Sequence, residues 1–405
     1  MVVAVRARSL ATFPSFPSFQ PFAAFAAFAV VVAVVVVVMS SCTRAAAAPA
    51  TAATPAPSSA PSTLATSAAP GVHLLPSDFV RGVNHAHIHR RGHGYGSDIS
   101  AQTMDELAGY GVNWIAVTPF AFQPTATSSS LVGYGPGAIL HSVVKDRTMI
   151  DDDIKLEVAH AHARHIQVAL KPHLWAGDFG SGEWAGTVRQ DDASAHATWW
   201  ASYRDFMLQE AALAESAGID LLVLGTELRG MTIGHGEEWR GLVVDVRKVY
   251  RGKLTYAAHW DQEAFAIDFW DALDVIGVSA YFPLDAPDDA DVDLLVKAWA
   301  PHKAKLAALA ARYPGKPLVF LEVGFRGVRG AHRTPWVMSG GTVDESEQAR
   351  CYQATFAALH DAPWFRGVMF WKTFTDQHMA DEDDDGSSYS FVGKPAGDVV
   401  RAWFR

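Results

Sequence analysis

From residue 79 onward, the chain alternates between two patterns of hydrophobic and polar positions. Short runs rich in Val, Ile, Leu and Phe, bounded by Gly, Pro or polar residues, are typical of strands buried on both faces of a parallel sheet. Longer stretches with apolar residues three and four positions apart predict amphipathic helices between these runs. The predicted strands are residues 79–85, 112–119, 167–175, 219–227, 253–260, 274–282, 317–324 and 365–373.

The helical pattern fills the intervals between these strands. Helices are predicted over residues 100–110, 151–165, 195–217, 237–250, 262–273, 292–312, 344–360 and 397–404. Strands that alternate with helices in this way predict an α/β fold, a single (β/α)8 TIM barrel over residues 77–405. No second domain and no short-period repeat is apparent in this part of the sequence.

The N-terminal residues follow neither pattern. Arg6 and Arg8 precede a long stretch without charge, rich in Ala, Val and Phe, which is typical of an export signal. The Met-Ser-Ser-Cys sequence at residues 39–42 is similar to a bacterial lipoprotein cleavage site, and the apolar run is also long enough for an uncleaved membrane anchor. We therefore interpret residues 1–44 as a signal peptide, lipoprotein signal or anchor, with Cys42 as the candidate lipidation site.

A linker is predicted between this signal and the barrel. Residues 45–76 consist mostly of Ala, Pro, Ser and Thr, and such a segment cannot bury enough apolar surface to fold. We expect it to be disordered. Whether the N-terminus is cleaved, lipidated or kept as an anchor, we expect the barrel to be exported. It would then lie in the extracellular space, or in the cell envelope with the N-terminus as a membrane tether.

Charge and cysteine content narrow the function classes. The 405 residues include 33 Lys and Arg against 43 Asp and Glu, a formal net charge of -10. An acidic chain is poorly suited to nucleic acids, whereas a neutral polysaccharide remains compatible. The two cysteines, Cys42 and Cys351, allow no disulfide framework. We expect a monomer that needs no cofactor and no metal.

Two of the predicted strands end in a glutamate. Glu227 follows the apolar run at residues 220–224, and Glu322 lies at the end of the run at residues 317–321. A carboxylate at the end of a buried strand is costly unless it is solvated, paired or used in function. Each glutamate alone could form a structural ion pair, with Arg229 or Arg326. Together they match the two carboxylates of a glycosidase, because catalytic groups lie at the C-terminal ends of barrel strands.

The other strand ends carry polar and aromatic side chains. Such side chains bind sugar hydroxyls and stack on sugar rings, although each of them alone is more often structural. We predict substrate-binding roles for Asn84, His85, His87, Lys171, His173, Trp175, Thr226, His259, Trp260, Tyr281, Arg326 and Trp371.

Several segments resemble glycoside hydrolase family 113, the β-mannanases of the retaining (β/α)8 glycosidase clan, and the likeness spans about residues 80–400. The segments are RGVNHAHIH, VNWIAVTPF, ALKPHLW, LGTEL, VSAYFP, FLEVGFR, MFWK and FVGKPAGD. The resemblance implies that Glu227 is the acid/base and Glu322 the nucleophile in double-displacement hydrolysis of a β-linked polysaccharide or oligosaccharide, most plausibly β-1,4-mannan. It also implies that Tyr281 hydrogen-bonds Glu322 and that Trp371 lies beneath the sugar at the cleavage point.

The chemistry sets two expectations for the glutamates. The carboxyl groups of a retaining enzyme lie roughly 5–5.5 Å apart, and the pKa of the acid must be raised while the nucleophile stays ionised. The sequence departs from the clan at Thr226, where many members have an Asn that contacts the sugar 2-hydroxyl. Mannose differs from glucose at that carbon, so the substitution suits a mannan enzyme.

Two alternatives remain open. His85 and His87 resemble the metal-binding histidine pair of barrel amidohydrolases, and Lys171, His173 and His259 could complete a zinc site. Those enzymes need an aspartate at the end of strand eight, where this chain has Trp371 and Lys372. The second alternative is a carbohydrate-binding barrel without catalysis, against which the presence of both glutamates argues.

Overall fold

The structure, a computed structural model, describes residues 75–132, 149–177, 182–382 and 384–405. The predicted signal, the candidate lipidation site at Cys42 and nearly all of the predicted linker lie outside the described residues. None of the helices in these ranges is long and apolar enough to cross a membrane.

Eight parallel strands close into a barrel, which confirms the predicted fold. The strands in chain order are β1 (Val80–Ala86), β2 (Trp114–Val117), β3 (Phe120–Gln123), β4 (Gln167–Leu170), β5 (His173–Ala176), β6 (Leu221–Thr226), β7 (Lys253–His259), β8 (Ile276–Ser279), β9 (Leu318–Val323) and β10 (Phe365–Phe374). Around the barrel the hydrogen-bonded order is β1-β10-β9-β8-β7-β6-β4-β2, so chain neighbours are mostly sheet neighbours.

Helices cover the outside of this barrel. They are α1 (Asp98–Gly109), α2 (Asp151–His162), α3 (Ala193–Ala217), α4 (Arg229–Thr232), α5 (Gly236–Val246), α6 (Gln262–Ala266), α7 (Val292–Arg312), α8 (Glu345–Leu359), α9 (Gln377–Asp381) and α10 (Pro395–Phe404). Two 3-10 turns, Ala185–Thr187 and Trp270–Ala272, also lie between strands. The second turn and α6 replace the single helix predicted over residues 262–273.

The third predicted strand, residues 167–175, is two separate strands. β4 belongs to the barrel, whereas β5 pairs with β3 in a small two-stranded parallel sheet. Pro172 lies between them, and a proline has no backbone N–H to donate to a neighbouring strand. The break leaves Lys171 at the end of the barrel strand and places His173 on the small sheet.

Apolar side chains fill the barrel and the layer between barrel and helices. The smaller buried cluster includes Trp114, Leu221, Val223, Val319 and Leu321, which come from alternate positions of their strands and so share one face. The larger cluster holds the alternate strand residues together with the inner faces of the helices. This rigid support presents the C-terminal strand ends as one platform.

Candidate active site

A cavity of about 630 Å³ opens where the barrel strands end, a size that suits a small organic ligand or a few sugar rings. Both strand-end glutamates lie on its wall. It is lined by His173, Leu174, Trp184, Ala185, Thr226, Glu227, His259, Trp260, Tyr281, Glu322, Trp336, Met338, Trp371 and Tyr389.

The backbone at Glu227 has an uncommon conformation. Its φ is 55°, in the left-handed region that non-glycine residues rarely adopt. The pairing of β6 with β7 also shifts register between Val223 and Thr226, just before this glutamate. A non-glycine residue in this region costs on the order of 1–3 kcal/mol, and such residues cluster at functional sites. The distortion redirects the chain where β6 delivers its carboxylate to the cavity.

Glu322 has a hydrogen-bond donor on each carboxyl oxygen. Lys171 Nζ donates to Oε1 at 2.6 Å, and the Tyr281 hydroxyl donates to Oε2 at 2.8 Å. Burial alone would raise the pKa of Glu322, but the charge and hydrogen bond of Lys171, with the hydrogen bond of Tyr281, hold it below its usual value. Glu322 is therefore an ionised carboxylate at neutral pH.

Glu227 is shifted in the opposite direction. Burial, followed by the negative charges of Glu322 and Glu263, raises the pKa of Glu227 well above its usual value, and Lys171 only partly offsets this. The pKa values of two carboxyl groups on one cavity are thus shifted in opposite directions. That is the division between a proton donor and a nucleophile.

A third buried carboxyl group, Glu263, supports the segment after Glu227. It accepts hydrogen bonds from the Tyr256 hydroxyl at 2.7 Å, the Thr232 hydroxyl at 2.8 Å and the His259 backbone N–H at 2.7 Å. Tyr256 in turn accepts from the backbone N–H of Leu228 at 2.6 Å. The network links the residue that follows Glu227 to β7 and α6. Burial raises the pKa of Glu263 to about 6.

Aromatic rings form much of the remaining wall. The ring of His173 stacks on Trp371 with a centroid distance of 6.0 Å, and Trp260 stacks on Trp336 at 5.5 Å. The guanidinium of Arg229 lies over the Trp184 ring, 5.8 Å from its centroid. Flat aromatic faces of this kind suit the apolar faces of sugar rings.

Two buried polar atoms on the wall have no hydrogen-bond partner among the described residues, although one of them, on His173, lies 3.8 Å from Glu322 Oε1. They are Nε2 of His173 and Oγ1 of Thr226. Burial, together with the charge of Lys171, lowers the pKa of His173 to about 3, so its ring is neutral at neutral pH. Buried polar atoms are costly without a partner, and a sugar hydroxyl in the cavity would supply one.

Comparison with known proteins decides the family. The family model of Glycoside Hydrolase Family 113 matches residues 83–394, most of the chain and nearly all of the barrel. The chain belongs to glycoside hydrolase family 113. The chain is therefore a glycoside hydrolase, and the resemblance read from the sequence motifs is confirmed.

Solved structures of this family share the architecture. The GH113 β-mannanase AaManA from Alicyclobacillus acidocaldarius, in complex with ManMIm, is 30% identical with a TM-score of 0.68, covering 80% of this chain and 97% of that one. A complex structure of a GH113 β-1,4-mannanase is 25% identical with a TM-score of 0.67, covering 80% and 98%. A β-glucuronidase from Ruminococcus gnavus, 13% identical with a TM-score of 0.55 over 81% of this chain and 50% of that one, shares the fold alone. A search of curated proteins by sequence found no match.

The family 113 barrel places several of the predicted substrate-binding residues away from the cavity wall. Asn84 is fully buried, and its amide donates to the backbone oxygens of Leu321 and Met369, so it ties β1 to its neighbours. His85 is also fully buried and contacts the Ser100 and Thr373 hydroxyls. Both side chains therefore stabilise contacts between elements of the barrel. A strand-end position does not by itself decide whether a side chain faces the cavity.

Four further predicted residues are also not part of this cavity wall. Lys171 is fully buried beneath the cavity and contacts Glu322. His87 accepts a hydrogen bond from a backbone N–H at 3.0 Å, and Trp175 stacks on Phe122. The guanidinium of Arg326 donates to the backbone oxygen of Gly340 at 2.6 Å and to the Ser387 hydroxyl at 3.0 Å. By contrast, the cavity wall includes the predicted His173, Thr226, His259, Trp260, Tyr281 and Trp371.

Sequence reasoning missed other residues of the wall. Trp184, Trp336 and Met338 lie in connections between strands and helices, and Tyr389 lies between α9 and α10, whereas the predicted residues all lie at or near strand ends. Tryptophans within unusually long connections at the catalytic face were the available signal, since such connections in compact domains are often functional.

The alternative zinc site at the end of β1 is not favoured. Nε2 of His85 lies 3.3 Å from Glu157 and 3.1 Å from the Ser100 hydroxyl, inside the protein. Among residues 75–132, 149–177, 182–382 and 384–405, no group of three or more potential metal ligands includes His85, His87, His173 or His259.

Proposed function

We propose that this family 113 enzyme hydrolyses β-1,4-mannan with retention of anomeric configuration, with Glu322 as nucleophile and Glu227 as acid/base. The observation that carries the proposal is the opposite pKa shift of two carboxyl groups that line one sugar-sized cavity. The substrate class is supported by the two family structures, which are of a β-mannanase and a β-1,4-mannanase.

The geometry supports a division of labour over two steps. In the first, the ionised Glu322 attacks the anomeric carbon while protonated Glu227 gives its proton to the leaving glycosidic oxygen, forming a glycosyl–enzyme ester. In the second, Glu227, now ionised, takes a proton from water as that water displaces Glu322. Lys171 and Tyr281 hold Glu322 ionised and oriented at the start and stabilise it again as it leaves.

The wall supports recognition of the sugar at the cleavage point. Trp371 offers a flat face beside Glu322, and the unpartnered atoms of His173 and Thr226 offer hydrogen bonds to ring hydroxyls. A short threonine hydroxyl next to Glu227 leaves room at the sugar C2 position, where mannose carries its axial hydroxyl. We propose that this trio sets the preference for mannose.

Export is proposed from the N-terminal sequence. Residues 1–44 are assigned as a signal peptide, lipoprotein signal or anchor with Cys42 as the candidate lipidated residue, and residues 45–76 as a tether. The intact mass and N-terminal sequence of the protein recovered from an expressing bacterium would test this. A cytoplasmic protein with an intact N-terminus would contradict it.

Activity on a panel of polysaccharides tests the assignment. Wild type should degrade β-mannan and glucomannan much faster than xylan or β-glucan, and Glu227→Gln and Glu322→Gln should each lose about 10³-fold or more of that activity. Glu237→Gln, an exposed glutamate at the start of α5, is the matched control and should behave as wild type. A near-normal rate in either cavity variant, or preference for xylan, would refute the corresponding assignment.

An activated substrate separates the two roles. A dinitrophenyl β-mannoside has a leaving group that departs without protonation, so Glu227→Gln should form the glycosyl–enzyme at a rate close to that of wild type and then accumulate it. Glu322→Gln should stay inactive on the same substrate because it lacks the nucleophile. The reverse pattern would exchange the two roles.

A further inference from the structure

Outside the sugar cavity, three potential metal ligands converge at the edge of the catalytic face. His196 lies in the first turn of α3, His235 directly precedes α5, and Glu238 lies in the first turn of α5. Their side chains are 27%, 27% and 36% exposed, so the group is accessible to ions yet partly enclosed. None of the three lines the sugar cavity.

The three ligand atoms are spaced as a metal ion requires. Nε2 of His196 lies 3.2 Å from Nδ1 of His235, and Oε1 of Glu238 lies 3.8 Å from each of these nitrogens. Tetrahedral zinc binds nitrogen and oxygen at about 2.0–2.1 Å, which places neighbouring ligand atoms about 3.3–3.4 Å apart. Small side-chain adjustments would therefore complete three sides of a zinc tetrahedron and leave the fourth to water.

We propose that His196, His235 and Glu238 form a zinc site that joins the start of α3 to the start of α5. Two imidazoles and one carboxylate are a ligand set that suits zinc. The segment of residues 228–235 leads from Glu227 to His235, and the segment before α3 carries Trp184 of the cavity wall. Zinc would fix these two segments to each other from outside the cavity.

The indole N–H of Trp200 competes with zinc for one of the three ligand atoms. Nε1 of Trp200 lies 3.2 Å from Nε2 of His196, at hydrogen-bonding distance. An imidazole nitrogen has one lone pair, so it cannot accept this hydrogen bond and bind zinc at full strength at once. Trp200 therefore competes with zinc, and removing its N–H should strengthen binding.

Zinc titration of the metal-stripped full chain, in competition with a chromophoric chelator, tests the site. We expect one zinc ion per chain for wild type and at least about 10-fold weaker binding for His235→Ala and for Glu238→Gln, which preserves side-chain size. His162→Ala is the matched control, because His162 is also an exposed histidine paired with a carboxylate, Asp220. Equal affinity in His235→Ala and wild type, or no saturable zinc binding in wild type, would overturn the proposal.

Two further readouts separate specific binding from adventitious binding. Trp200→Phe keeps an aromatic ring but removes the N–H, and we expect about 3- to 10-fold tighter zinc binding, whereas unchanged affinity would overturn the assignment of His196 Nε2 as ligand. Zinc at about ten times the wild-type Kd should raise the melting temperature of wild type by about 2–5 °C and that of Glu238→Gln by clearly less. An equal rise in both would also overturn the proposal.

Discussion

Glu322 and Glu227 share one cavity but have different neighbours, and the difference lies mainly in a single lysine. Lys171 is fully buried, pairs with Glu322 at 2.6 Å and lies close to the Trp371 ring. A buried ion pair contributes little net stability, but removal of one partner leaves the other buried and uncompensated. Removal of Lys171 should therefore destabilise the ionised form of Glu322.

Replacement of Lys171 should change the pH profile of kcat/KM. Activity needs Glu322 ionised and Glu227 protonated, so kcat/KM should fall at low pH through the pKa of Glu322 and at high pH through that of Glu227. Lys171→Met removes the positive charge, so the pKa of Glu322 rises and the acidic limb moves to higher pH. Activity at the optimum should fall about 10- to 100-fold.

The pH dependence of kcat/KM for mannan is the measurement. Lys297→Met, an exposed lysine of α7, is the control and should leave both limbs in place. If Lys171→Met lowered the rate without moving the acidic limb, Lys171 would be acting on packing instead of on the charge of Glu322.

At the scale of single residues, sequence reasoning reached Glu227 and Glu322 because each ends a buried strand. It predicted that Lys171 binds the sugar, whereas the structure pairs Lys171 with Glu322. The cause is the break at Pro172, which ends β4 and turns the chain into the small sheet. Strand periodicity does not reveal such a break, so the sequence could not tell a residue beneath the cavity from one on its wall.

At the scale of elements, the connection between β9 and α8 shapes one side of the cavity. The Tyr389 hydroxyl donates to the backbone oxygen of Pro335 at 2.6 Å, and Arg326 donates to that of Gly340. These contacts fix a segment whose apolar side chains Trp336 and Met338 are 45% and 71% exposed. An apolar surface maintained in this way indicates a binding platform.

Trp336→Ala tests this platform. Trp336 stacks on Trp260 at the cavity edge, away from the reacting carboxyl groups, so its loss should weaken binding of long chains but not the chemistry. We expect KM for mannan to rise about 3- to 10-fold with kcat little changed, and no effect on a short aryl mannoside.

The control for this experiment is Val337→Ala. Val337 is an exposed residue of the same connection that does not line the cavity. An equal rise in KM in both variants would show that the connection as a whole, and not the indole of Trp336, accounts for the effect.

Glycines in the barrel strands test the packing of the elements. A Cβ on Gly277 of β8 would lie 2.3 Å from the Tyr256 backbone oxygen and 2.4 Å from the Leu321 side chain. Gly277→Ala should therefore lower the free energy of unfolding by about 1–3 kcal/mol. Gly241→Ala is the matched control: it lies on the exposed face of α5 with no atom within 4 Å of its Cβ, and should stabilise by about 0.5–1 kcal/mol.

Denaturant unfolding followed by circular dichroism measures both glycine variants. Equal effects of the same sign would contradict the packing argument, because only Gly277 meets backbone from a neighbouring strand.

At the scale of the whole molecule, the alternation of strand and helix patterns was enough to predict the barrel. Every predicted barrel strand is present, although most are shorter than predicted because their ends continue as loop. The patterns could not predict the small β3–β5 sheet or the positions of Trp184 and Trp336, since these depend on contacts between connections that are distant in sequence. In this barrel the strand ends carry Glu227 and Glu322, and the connections supply much of the remaining cavity wall.

Glu322 is expected to form a covalent ester with the sugar during turnover. A 2-deoxy-2-fluoro-mannosyl fluoride should trap this ester, because the ring fluorine slows both steps while the fluoride leaving group restores the first. Mass spectrometry of the digested protein should then find one added sugar, on the peptide that contains Glu322. A label on the Glu227 peptide, or unlabelled enzyme that turns over mannan with inversion, would contradict the account.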